Sequence, residues 1–533
     1  MLDLLKKNIF WVIILAILAS VAYASFYWFL RPAQFGSDIF IFNTPDETAN
    51  YFFSSRLAQG QSLAKLEPLN YLSGELNLVH PRSTTVVNKS IVPGSWLGFI
   101  LLLGLIGQIF GAWAIPVVTP IVSGLAIVCF YLLLKNIFRE RVALVATFLL
   151  IIFPAFWYYN ARALFNNILF IDLIIIGLYF FQKYFLKEQV VYFLLANFTF
   201  GLALILRTSE IFWVGVLLIG LLLWRTKTNN LVKFALAGLL VFFCFVPVLI
   251  GQQQLFNSPF VTGYVPEGLS KIAAGGGIWS LLQKIILPHG LVLKNILYNF
   301  YGYWLKIFWL PASLVLAGLV LAVVYHRQKR LTKSQQQYLV GSLMVSVLIW
   351  LFYGSWFFYD NVMQQVSIGS SQVRYFLPFY LSLLPWAAYF IDWLALLFKK
   401  VIWQNIILIV LLIGCFFCAY QTVVKIGPES LAAIKQTIGG YQQINQKVRL
   451  LTEENSIIIS SYSDKIFFPT RKVIFYWQEP RFLANISLLA KAVPVYFYSS
   501  NQTEIDYLTK NSQLTAKLVG SFAQLGYLYK INP

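Results

Sequence analysis

The tetrapeptide Thr44-Pro45-Asp46-Glu47 sets two carboxylates side by side. A carboxylate beside a hydroxyl can take its proton as that hydroxyl attacks an electrophile, which is the work of a general base. Further along, "LVHPRSTTVVNKSIVPGSW" brings His80, Arg82 and Lys89 close in sequence. Their positive charge suits an anionic reactant placed beside such a base; the competing reading is a polar loop touching lipid headgroups. The tetrapeptide is also a helix-start signal. Thr44 fits the N-cap, Pro45 the first helical position, and Glu47 completes a capping box. Asp46 suits the positive end of that helix. The readings are compatible, because a Glu47 used by the cap leaves Asp46 available. Asp46 and Glu47 are the candidate catalytic residues. The helix they open is expected to lie along a membrane surface, with Tyr51, Phe52 and Phe53 in lipid.

Three arginines stand at the ends of apolar runs: Arg162, followed by Asn166 and Asn167; Arg207, followed by Glu210; and Arg374, which opens "RYFLP" with Tyr375. Brought together, they would hold an anion, and a guanidinium fork matches a phosphate. The competing readings are snorkelling to headgroups and an Arg207–Glu210 pair at i,i+3. Lys89, Arg162, Arg207, Arg374 and Tyr375 are the candidate phosphate ligands. His80, Arg82, Asn166, Glu210 and His289 are candidates for acceptor or other substrate contacts. His289, in "LPHG", has no second ligand near it in sequence and reads as structural rather than metal-binding. Asp172 lies deeper in an apolar run, and Lys294 and Lys306 lie in or beside the loop that carries His289.

The elements that must position these residues are membrane helices. The 533-residue chain is 59% hydrophobic and 11% charged, against about 25% charged in soluble domains. Its mean hydropathy is +0.71. The formal charge of +20 would suggest nucleic acid in a soluble protein. Here the basic residues fall in short loops that set membrane orientation, so nucleic-acid binding is not expected. Cys129, Cys244, Cys415 and Cys418 all sit in apolar runs and read as buried apolar side chains. Lys6 and Lys7 precede a run long enough to span, read as an uncleaved first crossing.

Apolar runs lie near 8–30, 93–111, 112–134, 142–160, 166–184, 190–206, 209–224, 231–251, 307–325, 338–358, 375–397 and 402–423. The basic clusters Lys135/Arg139/Arg141, Lys183/Lys187, Arg225/Lys227/Lys233, Arg327/Lys329/Arg330/Lys333 and Lys399/Lys400 belong on the cytoplasmic side with Lys6 and Lys7. Parity then allows only two of the three runs before Lys135 to cross. Run 93–111 starts at Pro93-Gly94 and carries glycine at 98, 104, 107 and 111, so it reads as a juxtamembrane or re-entrant helix. About eleven crossings remain, with the N-terminus inside. The outer face holds loops 31–92, 252–306 and 359–374 and a tail, 425–533, of ordinary polarity. In the tail, "IIIS", "KVIFYW", "VPVYFYS" and "GYLYKI" read as strands and "PESLAAIKQTIGGYQQINQKV" as helix. The fold class is mostly α: a polytopic transmembrane domain over 1–424, with juxtamembrane helices in its first outer loop (31–111), and a small extracytoplasmic α/β domain over 425–533.

A first span, "PDE" in the first outer loop, "VPGSWLG", arginines at outer helix ends, "RYFLP" opening a late span and an outer α/β tail together resemble the GT-C glycosyltransferases. Closest are the lipid A aminoarabinose transferases and protein O-mannosyltransferases. The resemblance implies a first-loop aspartate acting as general base or acceptor-orienting group, which carries over to Asp46. It implies a polyprenyl-phosphate or polyprenyl-diphosphate sugar donor, held by Lys89, Arg162, Arg207 and Arg374. It also implies one-step displacement with inversion, onto a lipid, glycan or protein acceptor at the outer face of the cell membrane. The chain departs from the pattern in places. His80-Pro81 and Lys89 compete for the basic-proline element, and Arg162/Asn166 stand where an acidic residue is expected after the third crossing. Neither D-x-D nor W-W-D occurs, so whole-glycan transfer to asparagine is not expected. No cofactor is required on this reading; a divalent metal is compatible but not indicated. The alternatives are an O-antigen-type polymerase or ligase, which would concentrate its chemistry in middle outer loops, and a lipid-linked sugar flippase or transporter. A transporter would carry mid-membrane charges and paired halves.

Overall fold

A computed structural model describes residues 2–30, 40–225, 231–263, 287–358, 365–475, 480–510, 514–522 and 525–533. The expected outer loops 31–92, 252–306 and 359–374 therefore lie partly outside the described residues, as do Lys227 and the Tyr476-Trp477 end of the third-to-last expected strand. The chain divides into two compact units. The first comprises Met1–Trp28, Pro116–Pro247 and Ser270–Ala433; the second comprises Phe29–Ile115, Val248–Leu269 and Ile434–Pro533.

Most of the molecule is apolar helix. Among the described residues, eight helices are long and apolar enough to cross a membrane. A ninth crossing arises if Glu140–Ile152 and Pro154–Ala161, bent by 49°, count as one. Pro154 explains the break, since a proline cannot donate to the preceding turn. The remaining two expected crossings are shorter helices, Val190–Leu206 with 17 residues and Ile211–Arg225 with 15. Helices of the first unit pack where small residues let backbones approach. A Cβ at Gly318 would overlap the carbonyl of Trp386, and one at Gly177 would lie 2.5 Å from the Phe200 ring. Close approach at small residues is the usual way membrane helices associate.

In the second unit, Thr44 caps the helix Pro45–Ala58. Its hydroxyl accepts from the Glu47 amide at 3.3 Å, and Glu47 Oε2 accepts from the Thr44 amide at 3.2 Å. The helix packs on Leu97–Phe110, where a Cβ at Gly104 would come within 2.6 Å of Leu57. That second helix has 14 residues, about 21 Å at 1.5 Å per residue, short of a bilayer core of about 30 Å. The expectation that Tyr51, Phe52 and Phe53 face lipid is not met. Phe53 is fully buried against Ile91 and Ile100. Tyr51 packs on Phe40 and Phe42, and Phe52 meets Phe468 edge-on at 4.6 Å.

Two sheets complete this unit. Strands β1 (Lys65–Leu66), β2 (Thr84–Val87) and β3 (Ser90–Pro93) form an antiparallel sheet in the order β1-β3-β2. The tail folds as a mixed sheet, β5-β4-β6-β8-β7, from β4 (Ile457–Ser460), β5 (Lys472–Phe475), β6 (Val495–Ser499), β7 (Thr515–Ser521) and β8 (Tyr527–Asn532). β4 runs parallel to β5 and β6, and β8 runs antiparallel to β6 and β7. The fully buried β4 "IIIS" has the continuous apolar character of a strand covered on both faces. The helix Leu431–Leu451 follows the helical stretch read from the sequence.

Candidate functional site

In the second unit, Asp46 occupies the first turn of the Pro45–Ala58 helix and is half-buried. Ser83 Oγ donates to Asp46 Oδ1 at 2.6 Å. That contact depends on a strained turn, because Ser83 has φ of +60°, in the left-handed region disfavoured for side-chain-bearing residues. Two anchors hold the turn. Ser83 O accepts from the Gly94 amide at 3.2 Å, at a position where a Cβ on Gly94 would lie 2.7 Å from the same oxygen. Asp464 accepts from the Arg82 amide and from Arg82 Nε, both at 2.8 Å, and from Arg82 Nη2 at 2.6 Å. Asp464 is fully buried, so Arg82 is a brace between the first loop and the tail sheet. His80 Nδ1 lies 2.9 Å from Pro81 O and 3.2 Å from Thr84 Oγ1. Burial lowers its pKa, while the Pro81 carbonyl and Asp464 oppose the shift. Lys89 Nζ donates to Gly74 O and Asn77 Oδ1, closing its own loop. Glu47 is committed to the cap.

In the first unit, the three arginines come together around two aromatic rings. The guanidinium carbons of Arg162 and Arg374 lie 4.9 Å and 4.5 Å from the Phe165 centroid. Those of Arg374 and Arg207 lie 5.7 Å and 4.4 Å from Tyr375. The adjacent pair Asn166 and Asn167 ties the flanking backbone into the cluster. Asn166 Nδ2 donates to Leu206 O at 3.1 Å, and Asn167 Nδ2 reaches Arg374 O at 3.5 Å. Arg162 is 1% exposed and donates to the Tyr158 hydroxyl at 2.8 Å. Arg374 Nη2 donates to Ser371 Oγ at 2.7 Å, on the short helix Ser371–Tyr375 that Ser370 caps. Tyr159 donates its hydroxyl to Ser370 O at 2.8 Å, pinning that turn.

Arg207 forms the i,i+3 pair with Glu210. Its Nε and Nη2 reach Glu210 Oε1 at 3.0 and 2.7 Å, and both residues are 2% exposed. Tyr353 and Trp213 also donate to that carboxylate, at 2.6 and 2.5 Å. The arrangement satisfies a buried charge pair with hydrogen bonds on every side, as its desolvation demands. His289 packs on Trp356 at 3.8 Å, and burial lowers its pKa to about 4. Among the described residues no three His, Cys, Asp or Glu side chains are grouped to hold a metal.

Two site residues escaped the sequence reading. Ser83 is one of many serines and gives no signal before its pairing is seen. Phe165, between Arg162 and Asn166, had a signal in its arginine neighbour, since guanidinium groups favour aromatic faces.

Residues 95–250 match the family model described as dolichyl-phosphate-mannose-protein mannosyltransferase. No curated protein sequence matches the chain significantly. Among solved structures, the chain is similar to ArnT from Cupriavidus metallidurans bound to undecaprenyl phosphate, with 11% identity, a TM-score of 0.58 and 98% of each chain covered. It is also similar to the oligosaccharyltransferase of Archaeoglobus fulgidus in the apo form, with 12% identity and a TM-score of 0.56, over 94% of this chain and 71% of that one. At these identities the likeness establishes a shared fold, the GT-C fold of both structures.

Proposed function

We propose that this chain, a polytopic protein of the GT-C fold, is a membrane glycosyltransferase that moves a sugar from a polyprenyl-phosphate donor to a hydroxyl-bearing acceptor. The observation that carries this reading is the gathering of Arg162, Arg374 and Arg207 on the shared rings of Phe165 and Tyr375. The mannosyltransferase family match over residues 95–250 and the undecaprenyl phosphate bound to the similar ArnT support the class of donor. Arg162 and Arg374 hold the donor phosphate, and Arg207, already paired with Glu210, fixes Tyr375. Asp46, aligned by Ser83, takes the acceptor proton. The acceptor oxygen forms its bond to the anomeric carbon as the carbon–oxygen bond to phosphate breaks. The phosphate leaves with the electron pair, its charge met by the guanidinium groups, and configuration inverts. The reaction runs at the outer face of the cell membrane, with the N-terminus cytoplasmic, and needs no metal.

Transfer of labelled sugar from polyprenyl-phosphate donors, wild type against Asp46→Asn, tests this. Loss of transfer in a folded Asp46→Asn protein is expected; undiminished turnover removes the catalytic assignment. A wild type inert with every lipid-linked sugar, yet moving such lipids between leaflets, would replace the reading by a flippase. Extension of a lipid-linked glycan by whole repeat units would replace it by a polymerase or ligase.

A further inference from the structure

The second unit contains a half-open cavity of about 350 Å³ that the catalytic assignment does not use. Its walls come from β1, the His80–Pro81 segment and the Phe468–Val473 stretch that runs into β5. Lys65, Arg471 and Lys472 bring cations to the lining, and Glu67 and Glu454 bring carboxylates.

Partners are shared unevenly among these groups. Glu67 is buried and pairs with Lys472 at 3.0 Å. Arg471 directs its donors to Thr452 Oγ1 and to the carbonyls of Arg449, Thr452 and Thr470. Glu454 is exposed. The Lys65 ammonium lies 5.5 Å from the Phe52 ring and 5.7 Å from the Phe468 ring, and makes no ion pair among the described residues. Burial lowers its pKa; Glu67 opposes that shift, and the charges of Arg56 and Lys472 add to it. A desolvated ammonium beside a second cation, with the nearest carboxylate already engaged, gains from a bound anion.

The cavity also lies close to the proposed base. From His80, in its wall, to Ser83 is three residues of chain, at most about 11 Å. Ser83 donates to Asp46. The volume falls in the range of small-molecule sites, about 300–1,000 Å³.

We propose that this cavity is an acceptor subsite for an anionic sugar, with a phosphate or carboxylate on Lys65 and Lys472 and ring hydroxyls on Glu67 and Glu454. The assignment to an acceptor rests on the glycosyltransferase reading; the anionic-sugar site itself does not. A neutral sugar leaves Lys65 uncompensated, and free phosphate occupies little of the lining beyond the two lysines, so a ligand carrying both features matches more of the site than either alone.

Calorimetric titration of the full-length protein in detergent tests this with glucose 6-phosphate, glucuronate, glucose and inorganic phosphate. Glucose 6-phosphate and glucuronate are expected to bind, with glucose and phosphate each at least about tenfold weaker. Lys65→Met and Lys472→Gln should each weaken glucose 6-phosphate by about tenfold, and Lys65→Arg should keep most of the affinity. Equal binding of glucose, equal binding of phosphate alone, or wild-type affinity in a monodisperse Lys65→Met protein would each overturn the proposal. Asp46→Asn should bind glucose 6-phosphate as the wild type does. Intact binding in a protein inert with all lipid-linked donors would sink the enzymatic reading and leave the site. Transfer without anionic-sugar binding would do the reverse.

Discussion

Ser83 reaches Asp46 from the far side of a turn, its hydroxyl 2.6 Å from Asp46 Oδ1 and its own backbone at φ +60°. A residue held in that region costs of order 1–3 kcal/mol and persists only where its surroundings enforce it. Here they do, through Gly94 on one side and the Arg82–Asp464 brace on the other. The turn aims one donor at one oxygen of Asp46. A carboxylate offers about four lone-pair sites, so this contact does not by itself stop the group from accepting a proton.

Asp46→Asn should lower kcat by about 10²–10⁴-fold, the usual weight of a general base. Ser83→Ala should lower it by about tenfold, since a hydrogen bond to a charged group contributes about 1.5–3 kcal/mol, part of which water recovers. Initial rates with a labelled lipid-phosphate sugar provide both numbers. A Ser83→Ala protein as inactive as Asp46→Asn would mean that the two act as one unit and that Ser83 does more than steady the base.

The arginines sit in different surroundings. Arg207 sits in a closed network with Glu210, Tyr353 and Trp213, while Arg374 is half-buried at the mouth of its short helix. Charge on the leaving phosphate grows in the transition state, so Arg374→Gln should lower kcat by about 10²–10³-fold. Arg374→Lys should recover only part, because an ammonium lacks the planar fork and stacks poorly on Phe165. A rise in KM with kcat unchanged would instead assign Arg374 to ground-state binding alone.

Glu210→Ala should act on stability. It leaves Arg207 buried without its counter-ion, a change that typically costs about 3–5 kcal/mol. The double change Arg207→Met with Glu210→Leu should recover most of the loss in apparent melting temperature. If Glu210→Ala melts like the wild type, the pair does not hold this part of the first unit.

How much of this could be read from residue types follows from energetics. Arg162, Arg207 and Arg374 stood out because apolar surroundings penalise charge, and a charge retained there needs a reason. Asp46 and the capping box were legible because helix starts depend on local chemistry. The β1-β3-β2 sheet was not, since β1 is two residues long and pairs with Ile91 and Ser90 far along the chain. β7 was missed because its register breaks between Leu518 and Gly520 and its burial does not alternate. Tyr51, Phe52 and Phe53 misled for a related reason. An apolar helix face reads the same whether lipid or protein covers it, and here Phe40, Phe42, Ile91, Ile100 and Phe468 decide for protein.

His80 is held on the neutral side by burial, against the opposing Pro81 carbonyl and Asp464. An unfolded histidine titrates near 6.5. Because the folded pKa lies below that, the unfolded chain binds more protons once the pH drops under about 6.5. The stabilisation is therefore complete above that value and is lost as the pH falls toward the folded pKa, with a limiting slope of about 1.4 kcal/mol per pH unit for one proton. His80→Asn should flatten the fall in apparent melting temperature between pH 7 and pH 5 while preserving the value at pH 8. An identical pH profile in the variant would show that His80 is not the group whose protonation loosens the contact between the first loop and the tail sheet.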